Sequence, residues 1–293
     1  MENRDNGLQS AYRKHERRWK ENRYVYPVVS RRSGGISIGI NLNPGKECTF
    51  NCIYCQVNRT EPSPDRFLDV SILNSELEAI LEDEKQGMLY SDLPFSLLPQ
   101  AARGVRDIAF SGDGEPTASE DFHEAVKAAC RLRSQHRLQD VKIVLITNAS
   151  CLNRPEVKKA LSLMDRNNGE IWAKLDAGTE EYFQRVNRTA IPFGTILDNI
   201  LEAARVRPLV IQSLWMRIDG AGPPSSEVEA YCGLLNNLLS SGGLLKELQL
   251  HTIARPPAEK IVSSLNDEEL DGIAGKVRKK VPVPVKVFYG VPG

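Results

Sequence analysis

From Ile36 onward, short apolar runs alternate with longer stretches in which apolar residues recur every three or four positions. The short runs lie at 36–42, 107–111, 142–147, 171–176, 209–218, 247–253 and 283–289. Most are rich in Val, Ile or Leu and carry few charges, the pattern of strands buried on both faces. The periodic stretches at 70–86, 120–135, 154–164, 193–205, 225–239 and 267–281 predict amphipathic helices. Cap-like residues open several of them: Ser119 with acidic residues in the next turn, Ser225 before Glu227, and Asn266 before Asp267, Glu268 and Glu269. Strands separated by helices imply right-handed crossovers and a parallel sheet. Six such units and a late strand suit an incomplete (βα) barrel or an open doubly wound sheet. The segment 87–104, broken by prolines, reads as a long loop or linker, with room for part of a lid.

Composition narrows this little. The chain has 293 residues, 41% apolar and 26% charged, ordinary values for a globular protein. No run approaches the roughly 20 apolar residues of a membrane span. The polar, basic N-terminus lacks the apolar centre of a secretory signal, so a cytoplasmic protein without a membrane partner is expected. Charge is more informative. Residues 1–32 carry nine Lys or Arg against four Asp or Glu, and the rest carry 29 against 34. A basic N-terminal helical extension over 1–32 is therefore expected ahead of a domain over 33–293, either as a nucleic-acid contact or as a solvated helix.

Six cysteines are too few for a disulfide scaffold, yet three of them crowd together as Cys48-Thr-Phe-Asn-Cys52-Ile-Tyr-Cys55. The loop follows the first predicted strand, behind Asn43-Pro44-Gly45. Three thiolates on so short a loop can ligate three corners of a four-iron cube and leave the fourth iron open. A structural zinc site would need a fourth ligand nearby, and no histidine occurs between His15 and His123. A ferredoxin run would have different spacers and a proline after its last cysteine, where Gln56 stands. Cys130, Cys151 and Cys232 read as small buried hydrophobes.

A second motif, Ile108-Ala-Phe-Ser-Gly112-Asp-Gly114-Glu115-Pro116-Thr117, is a strand entering a glycine-rich corner. Glycines admit close backbone approach, and a carboxylate can meet an ammonium group. Polar residues recur at later strand ends: Thr147 and Asn148, Lys174 and Asp176, Arg217 and Asp219, His251 and Thr252. A barrel builds its active site on that rim, and these ends favour an α/β fold of incomplete (βα)6-type TIM-barrel form. Among them Asn148, Asp176, Arg217 and His251 are the candidates for facing a cofactor or substrate.

The cysteine loop, with Tyr54 before its third cysteine, resembles that of the radical S-adenosylmethionine superfamily. The resemblance implies a [4Fe–4S] cluster on Cys48, Cys52 and Cys55, whose open iron binds the methionine part of S-adenosylmethionine. It implies reductive cleavage to a 5′-deoxyadenosyl radical, an external electron donor of flavodoxin or ferredoxin type, and an ammonium-binding role for Gly112, Gly114 and Glu115. Further stretches, including Tyr26-Pro-Val-Val-Ser-Arg-Arg, Arg185-Val-Asn-Arg188 and Arg255-Pro-Pro-Ala-Glu259, are similar to the bacterial and archaeal group of wyosine (tRNA imidazoguanine) synthases. By that likeness Arg31, Arg32, Asn187, Arg188 and Arg255 lie near the pocket mouth. The wyosine synthases carry further upstream cysteines, whereas none precedes Cys48. The substrate thus stays open between a small molecule, a peptide and tRNA. A glycyl-radical activase and a non-catalytic iron–sulfur redox protein are the alternative functions.

Overall fold

In the computed structural model, residues 19–61, 63 and 67–290 are described. The first 18 residues, the bulk of the expected basic extension, lie outside them. The described chain divides into two compact units. One comprises described residues within Met1–Glu47, Pro62–Ile146 and Pro155–Glu170; the other comprises those within Cys48–Glu61, Thr147–Arg154 and Ile171–Gly293.

The first unit opens with a hairpin that the apolar pattern did not foretell. Strand β1 (Val25–Ser30) runs antiparallel to β2 (Gly35–Ile40), with Tyr26 opposite Gly39. The pairing is specific, because a Cβ on Gly39 would overlap the Tyr26 ring. The carboxylate of Glu76, on helix α1 (Val70–Lys85), accepts the backbone N–H groups of Arg23, Tyr24 and Val25 at 2.7–3.0 Å. Strands β3 (Val105–Phe110) and β4 (Lys142–Thr147) extend the sheet in parallel, giving the order β1-β2-β3-β4. Helices α2 (Phe122–Gln135) and α3 (Pro155–Asp165) complete the unit. Every residue of β2 is buried, as a parallel strand covered on both faces requires.

The second unit repeats the logic. Parallel strands β5 (Gly169–Lys174), β6 (Leu209–Leu214), β8 (Leu245–His251) and β10 (Val285–Phe288) neighbour one another in that order, β5 through its residues from Ile171 on. Between them come helices α4 (Glu180–Asn187), α5 (Phe193–Val206), α6 (Ser225–Ser240) and α7 (Asp267–Lys280). A separate antiparallel ribbon joins β7 (Met216–Ile218) to β9 (Val262–Ser264).

Three expectations need correction. The run at 209–218 is two strands, because the chain leaves the parallel sheet after Leu214 and its last residues pair with β9. Segment 87–104 is not one unstructured loop. Leu89, Phe95 and Leu98 are buried in a cluster with Val29 and Ile36, and short 3₁₀ turns set them there. Of the expected caps, Asn266 forms a full capping box with Glu269. At α2 and α6, by contrast, the cap positions fall to Asp121 and Pro224, with no side-chain cap bond. Helix α4 escaped the pattern because eight residues offer too few periods to read.

Candidate functional site

The cysteine loop lies within the second unit, and three elements of that unit hold it. The backbone N–H groups of Asn51 and Ile53 donate to the carbonyls of Asn187 and Val186 at the end of α4, at 3.0 and 2.9 Å. Ala258 N–H donates to the Cys55 carbonyl at 3.0 Å, and Thr189 Oγ1 donates to the Thr49 carbonyl at 2.9 Å. Beneath these bonds Phe50 meets Phe183 edge-on, and Phe183 stacks on Phe193 of α5. The loop thus has a fixed backbone and an apolar floor.

Its three thiols are half-buried, and each receives an N–H donor. Asn148 Nδ2 lies 3.9 Å from Cys48 Sγ, Asn187 Nδ2 lies 3.4 Å from Cys52 Sγ, and Arg59 Nη1 lies 3.1 Å from Cys55 Sγ. Val57 N–H also points at Cys55 Sγ, at 3.5 Å. Sequence reasoning put Asn148 among the cofactor contacts and Asn187 at a pocket mouth, and it missed Arg59. The signal for Arg59 is a cation four residues past a ligand cysteine, which is weak without coordinates. Asn187 stands 135 positions from Cys52, so only folding brings them together.

Asn148 is held firmly, whereas the buried Asn187 Oδ1 has no hydrogen-bond partner. Asn148 Nδ2 also donates to Thr49 Oγ1 at 2.8 Å, and its Oδ1 accepts Ser150 N–H at 3.0 Å. The residue after each asparagine takes a left-handed conformation without being glycine: Ala149 at φ 65° and Arg188 at φ 44°. Such backbone persists where surrounding structure over-determines it, commonly at functional sites. Ala149 is anchored by Asn199 Nδ2, which donates to its carbonyl at 2.9 Å, and Arg188 pairs with Glu259 at 2.6 Å.

Tyr54 and Asp176 come together. The buried Tyr54 hydroxyl donates to Asp176 Oδ2, and Asp176 Oδ1 accepts Leu214 N–H at 2.8 Å. Lys174 Nζ lies 3.7 Å from the same carboxylate and 4.6 Å from the Tyr54 ring centroid. Burial, together with the charges of Asp176 and Cys52, holds the Tyr54 hydroxyl well above the ordinary tyrosine value, so it keeps the proton it donates. Burial likewise pushes the Cys52 thiol up to about 11, against the opposing pull of Lys174.

The glycine corner belongs to the first unit, where its close approach is to the chain itself. A Cβ on Gly112 would strike the Asn41 side chain, and one on Gly114 would strike the Glu47 carbonyl and Asn43. Asn41 Oδ1 accepts Asp113 N–H at 3.1 Å, and its Nδ2 donates to Asp113 Oδ2 at 2.8 Å. Glu115 is buried, and its Oε1 accepts the N–H and hydroxyl of Thr117 at 3.1 and 2.5 Å. Arg217 sits on the β7–β9 ribbon, donating to the Gly220 carbonyl at 2.9 Å and to Glu269 Oε1 at 2.5 Å. His251 ends β8, half-buried, and its carbonyl accepts Trp215 N–H at 2.8 Å. Cys130, Cys151 and Cys232 are buried free thiols.

Among the described residues no three His, Cys, Asp or Glu side chains converge on one metal ion. A mononuclear site needs its donors around a single point, at about 2.0–2.3 Å for zinc. Three half-buried thiols on one short loop, each facing an N–H donor, are a fitting donor set for an iron–sulfur cluster once deprotonated, since the sulfurs of such clusters are commonly hydrogen-bonded.

The profile of the Radical SAM superfamily matches residues 42–214, and the chain belongs to that superfamily. Membership makes it an enzyme and implies an iron–sulfur cluster and S-adenosylmethionine. The fold agrees: the chain resembles a radical SAM methyltransferase from Sphaerobacter thermophilus with a TM-score of 0.62 at 16% identity, covering 91% of this chain and 70% of that one. It also resembles TYW1 with a lysine–pyruvate adduct bound, TM-score 0.57 at 14% identity, covering 85% of this chain and 74% of that one. The expected incomplete TIM barrel is thus the fold. Among sequences, a UPF0026 protein of Helicobacter pylori is 25% identical over 83% of this chain and 70% of its own length. A protein named GTPase Obg in Brachyspira hyodysenteriae is 25% identical over 86% of this chain, which spans only 33% of that protein. This chain carries no G-x-x-x-x-G-K-[S/T] phosphate loop. No described helix is long and apolar enough to cross a membrane.

Proposed function

We propose that the chain holds a [4Fe–4S] cluster on Cys48, Cys52 and Cys55, binds S-adenosylmethionine at the open iron, and abstracts hydrogen from its substrate. The observation that carries this reading is the pairing of each thiol with its own N–H donor, on Asn148, Asn187 and Arg59. When bound and reduced, such a cluster would supply the single electron for reductive cleavage of the S-adenosylmethionine sulfonium.

The chain's own residues bind, orient and exclude water. Cys48, Cys52 and Cys55 would hold the cluster, and three protein ligands would leave room for a small chelating cofactor. Asn148, Asn187 and Arg59 direct N–H groups at the ligand sulfurs and offset their charge. Asp176 acts through Tyr54: with one oxygen on Leu214 N–H and the other on the Tyr54 hydroxyl, it locks the aromatic residue beside Cys55. Family resemblance gives His251 the adenosine or substrate. The electron comes from an external flavodoxin- or ferredoxin-type donor, and the protein works in the cytoplasm.

Anaerobic reconstitution followed by dithionite reduction tests the reading. The wild type is expected to bind close to four irons and four sulfides and to release 5′-deoxyadenosine. Cys48→Ala, Cys52→Ala and Cys55→Ala should each abolish that release. An intact cluster that never yields 5′-deoxyadenosine would refute it.

A further inference from the structure

The three sulfur donors are unequal. Those at Cys48 and Cys52 are neutral side-chain amides, at 3.9 and 3.4 Å. The one at Cys55 is a guanidinium at 3.1 Å, reinforced by Val57 N–H at 3.5 Å. Arg59 reaches this sulfur from a position the loop prepares. Asn58 Oδ1 accepts Thr60 N–H at 3.0 Å and the Thr60 hydroxyl at 2.7 Å, while Asn58 Nδ2 donates to Glu61 Oε1 at 3.0 Å. This side-chain-closed turn fixes the backbone on both sides of Arg59. Lys174, over the Tyr54 ring, lies 3.7 Å from the Asp176 carboxylate.

A cluster gains one negative charge when it takes an electron. A full positive charge against a ligand sulfur therefore stabilises the reduced state more than the oxidised one, and a charge-assisted N–H···S bond adds to that preference. We infer that Arg59 is a positioning residue that raises the reduction potential of the proposed cluster through Cys55, so that an external one-electron donor can load it. The inference rests on the cluster assignment above.

Potentiometric titration followed by electron paramagnetic resonance tests it, on anaerobic protein whose iron and sulfide have been counted. Arg59→Met removes charge and donor, Arg59→Gln keeps an N–H donor, and Arg59→Lys keeps the charge. The midpoint is expected to fall from wild type through Lys and Gln to Met. At the wild-type midpoint the reduced-to-oxidised ratio of Arg59→Met should be lower by about tenfold, a shift of 59 mV for a one-electron couple. A fully loaded Arg59→Met with the wild-type midpoint overturns the inference. If that variant loses its cluster, Arg59→Gln decides, and a wild-type midpoint there has the same force. Loss of the cluster in all three variants also overturns it, since Arg59 would then act in assembly. A wild type that binds no four-iron cluster defeats the cluster assignment itself, before any variant is made.

Discussion

Asp176 uses both carboxylate oxygens on the chain, one for Leu214 N–H and one for the Tyr54 hydroxyl. Residue by residue, this is how the cysteine loop is made stiff: its aromatic side chain is tied to a buried carboxylate that is already held by a strand. Hydrogen bonds to charged groups contribute about 1.5–3 kcal/mol. Tyr54→Phe removes one such bond and leaves part of a buried carboxylate unsatisfied. Destabilisation of about 1.5–3 kcal/mol is expected in urea unfolding of the metal-free protein, together with a lower iron content after reconstitution. A variant with wild-type midpoint and full iron would show that the hydroxyl has no part in holding the loop. Tyr54 was legible in the sequence because an aromatic residue beside the third cysteine is a local feature. Its pairing with Asp176 was not legible: the strand-end pattern offers Asp176 only as a residue facing the cofactor, and Tyr54 is 122 positions away.

Among the elements, helix α4 decides where Asn187 stands. Its N-terminus is clamped by Glu227 of α6, whose carboxylate accepts Gly178 N–H, Thr179 N–H at 3.2 Å and the Thr179 hydroxyl at 2.7 Å. Gly178 is obligatory there, because a Cβ would strike the backbone of Glu227 and Tyr231. Thr179 in turn caps α4 by accepting Tyr182 N–H at 3.2 Å. Glu227→Ala leaves three donors without their acceptor, and each such loss costs about 1–3 kcal/mol where the group stays buried. A drop of at least about 2 kcal/mol in unfolding free energy is therefore expected. Because the far end of α4 carries Asn187, a perturbed cluster spectrum should accompany it. Glu227→Gln, which keeps one acceptor oxygen, should lie between the two in both measurements. Unchanged stability in Glu227→Ala would remove the clamp from the account. None of this coupling is visible in α4's own residues, where the helix is too short to announce itself.

For the molecule as a whole, a cluster held by the folded chain and not by the unfolded one is linked to folding. Loaded protein should melt at higher temperature than protein stripped of its iron under anaerobic conditions. A triple Cys48→Ala, Cys52→Ala, Cys55→Ala variant should melt near the stripped wild type. Equal melting of loaded and stripped wild type would mean that the folded chain holds the iron no better than the unfolded one, and would remove the linkage. The pattern of apolar positions alone determined the alternation of strands and helices: all six helices read from it are present within two residues at each end. It did so because burial on both faces of a parallel strand, and on one face of a helix, leaves a periodic trace along the chain. The three cysteines stand out for a similar reason, since three thiols on one short loop are adjacent in sequence. The tertiary structure alone decided which amide serves which sulfur, that Arg59 turns back onto Cys55, that Arg217 joins a separate ribbon, and that Gly112 and Gly114 make room for Asn41, Asn43 and Glu47. Those facts are distances between residues mostly far apart in sequence or reached through a turn, and a hydrogen bond of 3 Å leaves no periodic mark on the chain that makes it.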